Sequence, residues 1–312
     1  MCISDYLLES CNIMREYSTH CTNDFLAHNS STTTHSPCCD WYHGAWQYLR
    51  VLNCVSAPQW HEDFYKRELC HSEKNNPESL SILISGAADY SILHLVVQAL
   101  QQSEKKVDID IVDLCGTPIS ICNWYINRIR QQDSEKYKHF SFELYQSNIA
   151  LFDRGKKYDI ICTDAFLTRF SSYETQSIVE KWKKLLKDGG KIVTTVRLYD
   201  HCTFMQPTFP EESNNILSYL TKVQMRYKEL PAEQAKQFGI SSNELSYLAA
   251  RYIINMLSNP HGNTDDIDDL FNKSGLHVIR TRSSIAQVPG EIYETNYYRI
   301  VAMKLGDEYN GQ

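Results

Sequence analysis

Between residues 81 and 196 the apolar residues switch period again and again, and this alternation restricts the fold more than any other feature of the chain. Residues 81–84, 107–112, 140–145, 158–162 and 191–196 are short runs rich in β-branched and aromatic side chains, the composition of strands. Helical spacing occupies 92–101, 119–130 and 173–186, and Lys187-Asp188-Gly189-Gly190 reads as the end of the last helix. Strands joined through helices require crossover connections, which are right-handed and cover both faces of a parallel sheet. The expected architecture is therefore α/β: a doubly wound, Rossmann-like, mostly parallel sheet of seven strands with helices on both faces and an antiparallel last strand.

The flanks read differently. Apolar residues recur at helical spacing at Tyr6, Leu7, Ile13, Met14 and Tyr17, then from Trp41 to Leu52, then after Pro58 through Trp60, Phe64, Tyr65 and Leu69, with a polar loop at 29–35 between the first two. Residues 1–77 are expected to form an N-terminal helical cap on a domain spanning 78–312. Within that domain 199–262 is a helical insertion after strand five, helical over 211–258 with breaks at Pro231 and Gly239. Ile216, Leu217, Leu220, Val223, Leu245, Leu248, Ala249, Tyr252, Ile253 and Met256 give the insertion an apolar stripe that must cover something: the core, a second subunit, or a pocket it would roof. A last helix over 265–273 precedes strands at 277–285 and 297–305, which are close enough in sequence to pair antiparallel.

Composition narrows the function. Lys plus Arg number 31 against 38 Asp plus Glu, a formal net charge of −7 that disfavours a phosphate-coating nucleic-acid surface. Eleven Cys is an odd count in a chain whose start lacks the pattern of a secretory signal, so free thiols in a reducing cytoplasm are expected. No apolar run reaches the ~18 residues that span a bilayer, and no membrane partner is expected. Cys38, Cys39, His43, Cys54, His61, Cys70 and His71 crowd one segment without CxxC spacing, so no metal is expected. A monomer or a homodimer fits the composition equally.

An open parallel sheet binds ligands at the carboxyl ends of its strands. After strand one comes Ser85-Gly86-Ala87-Ala88-Asp89-Tyr90, a loop of small residues that lets backbone N–H groups approach a ligand. Strand two ends in Asp113, placed to accept both hydroxyls of a ribose.

The ordered set 82–90, 111–113, Gln146-Ser147-Asn148-Ile149, 158–166 and 185–193 resembles the class I S-adenosylmethionine-dependent methyltransferases over roughly residues 78 to 200, and the closing strand pair extends the resemblance to about 305. The resemblance implies S-adenosyl-L-methionine as cofactor. It sets Gly86 and Ala88 on the family's first two loop glycines, with Tyr90 in place of the third and Ile84 in place of the usual acid. Ser85, Gly86 and Ala87 then line the methionine end, and Asp89 substitutes for the lost acid. Asp113 maps to the ribose acid, Leu114 to the apolar neighbour of adenine, and Asn148 with Ile149 to the adenine edge and face. Asp164, Ala165 and Phe166 line the reacting end.

In the cap, Trp46 offers a ring face to a sulfonium and Arg50 a partner for the cofactor carboxylate. His43 and Asp164 are the candidate catalytic groups, and Tyr293, Tyr297 and Tyr298 candidate acceptor neighbours. A single loop glycine favours a phosphate-free cofactor over NAD. The expected activity is methyl transfer to a small-molecule acceptor; an NAD-linked oxidoreductase and a non-catalytic methyltransferase-like protein-binding module are the alternatives.

Overall fold

The computed structural model describes residues 3–21, 39–75, 78–198, 206–207, 213–258, 262–279, 285–288 and 295–306. Helices α1 (Ile3–Thr19), α2 (Asp40–Val51) and α3 (Glu62–Asn75) precede the alternating region. That region runs β1 (Ser79–Ser85), α4 (Ser91–Leu100), β2 (Lys106–Asp113), α5 (Gly116–Gln132), β3 (Phe140–Gln146), β4 (Tyr158–Cys162), α6 (Ser172–Leu185) and β5 (Leu186–Arg197). Next come β6 (Gln206–Pro207), α7 (Ser213–Lys228), α8 (Ala232–Phe238), α9 (Ser242–Asn255), β7 (Leu257–Ser258), α10 (Thr264–Lys273), β8 (His277–Val278), β9 (Ile285–Val288) and β10 (Thr295–Met303). The main sheet has the path β3-β2-β1-β4-β5-β10-β8, seven strands as expected, and β9 adds an eighth by pairing with β10. Strands β1 to β5 are parallel and β10 runs antiparallel to β5.

Burial on both faces suits the apolar runs of β1 and β4, whereas β2 and the edge strand β3 alternate apolar with polar residues. In β1, Ile82 and Ile84 join the core shared with α1, α2, α4 and α5, whereas Leu83 enters the core shared with α6 and α10. The insertion breaks at Pro231 and Gly239 as expected. Leu245, Leu248, Ala249, Tyr252 and Ile253 of α9, with Val223 of α7, belong to the first core, and Arg251 grips Asp40 at the start of α2 through two bonds of 2.7 and 3.0 Å. Leu217 departs from the expected stripe and is exposed.

Two details correct the sequence reading. α6 ends at Leu185, and the Lys187–Gly190 segment lies within β5 as a bulge against β4. Gly189, with φ of +76°, donates to the Lys304 carbonyl at 2.8 Å, and a Cβ on Gly190 would meet the carbonyls of Lys187 and Tyr158 at 2.9 Å. The run expected as one strand over 277–285 is two short strands, β8 and β9. The loop at 29–35, Cys38, the Pro289-Gly290 turn and Tyr293 lie outside the described residues. No helix among the described residues is long and apolar enough to cross a membrane.

His94 of α4 is buried with Nδ1 3.0 Å from the Tyr125 hydroxyl, and burial lowers its pKa to about 4. A histidine whose folded pKa lies below its unfolded value binds fewer protons in the native state, so stability falls as pH drops from about 6.5 toward 4. His94→Gln is expected to remove about 2 kcal/mol of the stability loss between pH 7 and pH 5. Urea titrations at the two pH values check this, and parallel profiles for the two proteins would contradict it.

Candidate functional site

β1 ends at Ser85 and the chain turns through Gly86, whose φ of +74° lies in the left-handed region that a residue with a Cβ resists. The Phe166 ring lies over Gly86 where a Cβ would project. Gly86 N donates to the Val112 carbonyl at 2.9 Å, tying the loop to β2. Asp113 locks the same junction: its Oδ2 accepts from Ala87 N at 2.9 Å and its Oδ1 from Cys115 N at 2.7 Å. Loss of water pushes the Asp113 carboxyl up to about 6, against the pull of those two N–H donors and of the nearby His43. Tyr90, standing where a third glycine was expected, is buried and stacked on Tyr125 at 5.0 Å, so its ring belongs to the α4–α5 packing.

A buried polar cluster sits beside this loop. Asp89 is 2% exposed and accepts from Trp46 Nε1 at 3.0 Å, from Ser91 N at 2.7 Å, from the Ser91 hydroxyl, and from the Arg50 guanidinium in an ion pair. Arg50 also donates to Gln47 Oε1 at 3.1 Å and to Gln59 Oε1 at 2.7 Å. Three donors of this cluster, Arg50 Nε, Gln47 Nε2 and Gln59 Nε2, are buried without a hydrogen-bond partner among the described residues. An unpaired buried donor costs ~1–3 kcal/mol, and three together offer hydrogen bonds that an acceptor with several lone pairs, such as a carboxylate, can take.

After β4, Asp164 Oδ1 accepts from the Tyr65 hydroxyl at 2.8 Å and from the Thr195 hydroxyl at 2.6 Å. Ala165 follows at φ of +48°, a strained conformation for a residue with a Cβ, pinned by its N–H on the Thr195 carbonyl at 3.1 Å. That turn delivers Phe166 to Gly86. Ser85 Oγ accepts from Trp182 Nε1 at 2.9 Å, and the Ser85–Ala87 stretch is buried.

The structure thus gathers Trp46, Arg50, Ser85, Gly86, Ala87, Asp89 and Asp113 around the ends of β1 and β2, with Phe166 reaching them from β4. Leu114 is half-buried next to Asp113. Asn148 is exposed and caps its own turn, Oδ1 accepting from Ala150 N at 2.9 Å, while Ile149 is buried in the second core. His43 lies with Nδ1 3.6 Å from Cys115 Sγ, on the Asp113 side of the site. Tyr297 and Tyr298 are buried, Tyr297 against His61 at a ring distance of 4.9 Å. Sequence reasoning missed Gln47, Gln59, Tyr65 and Thr195. Gln47 stands three residues before Arg50 on α2, and that spacing was the available signal.

No family model and no curated protein sequence matches the chain. Among solved structures the chain is similar to magnesium protoporphyrin IX methyltransferase from Synechocystis PCC 6803 with bound SAH, at 11% identity over 84% of this chain and 96% of that chain, with a TM-score of 0.45. It is similar to an S-adenosylmethionine-dependent methyltransferase from Clostridium acetobutylicum ATCC 824, at 11% identity over 83% of this chain and 96% of that one, TM-score 0.46. A third similar structure is an N-methyltransferase from Bradyrhizobium japonicum WM9 in complex with S-adenosyl-L-homocysteine, at 11% identity over 82% of this chain and 98% of that one, TM-score 0.42.

Proposed function

We propose that this protein binds S-adenosylmethionine at the carboxyl ends of β1, β2 and β4 and transfers the methyl group to a small-molecule acceptor. The observation that carries this reading is the unpartnered donor set Arg50 Nε, Gln47 Nε2 and Gln59 Nε2, buried beside the Gly86 loop. It fits the carboxylate of an amino-acid ligand, while Asp113 at the end of the adjacent strand fits a ribose. An amino-acid end and a ribose end on one loop describe an S-adenosyl nucleoside, and they do not describe a dinucleotide. When bound, the cofactor supplies a methyl group already attached to a cationic leaving group, so orientation of the acceptor provides most of the acceleration.

The roles of the side chains follow from their contacts. Asp89, saturated by four donors, orients Arg50, which with Gln47 and Gln59 holds the carboxylate. Asp113 accepts the ribose hydroxyls, with Leu114, Asn148 and Ile149 toward adenine and Trp46 toward the sulfonium. Asp164, whose Oδ1 is held by the hydroxyls of Tyr65 and Thr195, positions the turn that carries Ala165 and Phe166, and its carboxylate is the candidate base for acceptors that must lose a proton. The helices of residues 1–77 and the 199–262 insertion serve as the cover of the site, α9 bracing α2 through Tyr252 and Arg251.

Asp113→Asn tests the reading. Asparagine preserves one acceptor for the Ala87 and Cys115 N–H groups but loses the charge, and S-adenosylhomocysteine affinity is expected to fall by about 2 kcal/mol with the fold intact. Affinity within twofold of the wild type in a folded variant would show that Asp113 does not hold the ribose.

A further inference from the structure

Three thiols from three separate segments converge at the β2–α5 loop. Cys21 follows α1, Cys39 is the residue before α2, and Cys115 is the residue before α5. Cys115 Sγ lies 3.3 Å from Cys21 Sγ and 3.5 Å from Cys39 Sγ, and all three sulfurs lie within 4.8 Å of one another. His43 stands four residues after Cys39, one turn into α2 and on the same face, with its Nδ1 3.6 Å from Cys115 Sγ. Cys21 and Cys39 are half-buried and Cys115 is buried.

Zinc bound by thiolates at ~2.3 Å sets neighbouring sulfurs about 3.8 Å apart at the corners of a tetrahedron; the Cys115 spacings of 3.3 and 3.5 Å lie close below that value, and His43 approaches the group from the Cys115 side. We propose that Cys21, Cys39, Cys115 and His43 bind one thiophilic divalent cation, zinc, as a structural centre. A disulfide would join two of the sulfurs and leave the third thiol and the imidazole without purpose, whereas a cation uses the whole set. Spacing rules applied to one segment are blind to such a site, because only the Cys39–His43 pair is local and the other two ligands arrive through the fold. The centre would rivet the end of α1 and the start of α2 to the β2–α5 loop, whose backbone also holds Asp113. Metal binding here does not depend on the proposed methyl transfer.

The test uses the full chain, purified without a polyhistidine tag and with a non-chelating reductant. Zinc content is measured by mass spectrometry after gel filtration, and cobalt(II) is then titrated into the metal-free protein and followed by absorption. One zinc per chain is expected, together with the thiolate-to-cobalt charge-transfer band and the intense visible bands of a tetrahedral site. Cys39→Ser retains a residue suited to start α2, so folding is preserved while zinc affinity falls by about ten-fold or more. Cys70→Ser, outside the cluster, should bind zinc as the wild type does. The proposal is overturned if the reduced wild type retains no zinc and gives no cobalt–thiolate band. It is equally overturned if peptide mapping finds a disulfide among Cys21, Cys39 and Cys115 in protein isolated without oxidant, or if Cys39→Ser and Cys115→Ser both hold zinc unchanged.

Discussion

Arg50→Ala is expected to lower the folding stability by about 4 kcal/mol and to abolish detectable S-adenosylhomocysteine binding. The size follows from burial: Arg50 and Asp89 are 6% and 2% exposed, and removing the guanidinium leaves the Asp89 carboxylate buried with only neutral partners from Trp46 and Ser91. The two losses have different causes and separate in a double variant. Arg50→Met with Asp89→Asn removes both charges at similar volume, so stability should return toward the wild type while binding stays lost. Urea denaturation and calorimetry on the three proteins measure this. Equal stability of the single and double variants would mean that the ion pair is not the reason α2 is docked, and binding recovered in the double variant would remove Arg50 from the site.

Gly86→Val should combine a backbone penalty with a steric one. A β-branched residue at φ of +74° is strained, and its Cβ would enter the Phe166 ring, so a loss of about 3 kcal/mol in stability is expected along with loss of binding. From sequence alone the same substitution reads as a nearly silent change in stability, because neither the left-handed backbone nor the approach of Phe166 is visible there. Adding Phe166→Ala should recover the packing part of the stability and none of the binding, since the valine still projects toward the ligand. Thermal melts with parallel titrations check both arms; binding by either variant at wild-type affinity would place the ligand elsewhere.

These two sites also mark how far the sequence could be read. β1, β4 and β5 were legible as apolar and β-branched runs buried on both faces, β2 and β3 as runs alternating apolar with polar residues, and Gly86 and Asp113 stand at the strand ends where such a sheet meets ligands. The bulge in β5 was not, because Lys187-Asp188-Gly189-Gly190 meets the requirements of a helix terminus as well as those of a bulge: both need a glycine at positive φ, and only pairing with β4 and the Lys304 carbonyl decides. Gln47 and Gln59 were hidden for another reason. A glutamine on a helix or beside a turn has the composition of a solvent face, and only the convergence of α2 and the Gln59 segment on Arg50 makes them its buried partners. Tyr65, reading as one apolar residue of a helical stripe, meets Asp164 through a contact 99 positions away.

The direct test of the account is which nucleotide the protein takes. Purified protein titrated by calorimetry with S-adenosylmethionine, S-adenosylhomocysteine and NAD should bind the first two at one site per chain and give no heat with NAD beyond dilution. Saturable binding of NAD with none of either S-adenosyl compound, or no binding of any of the three by folded protein, would contradict it.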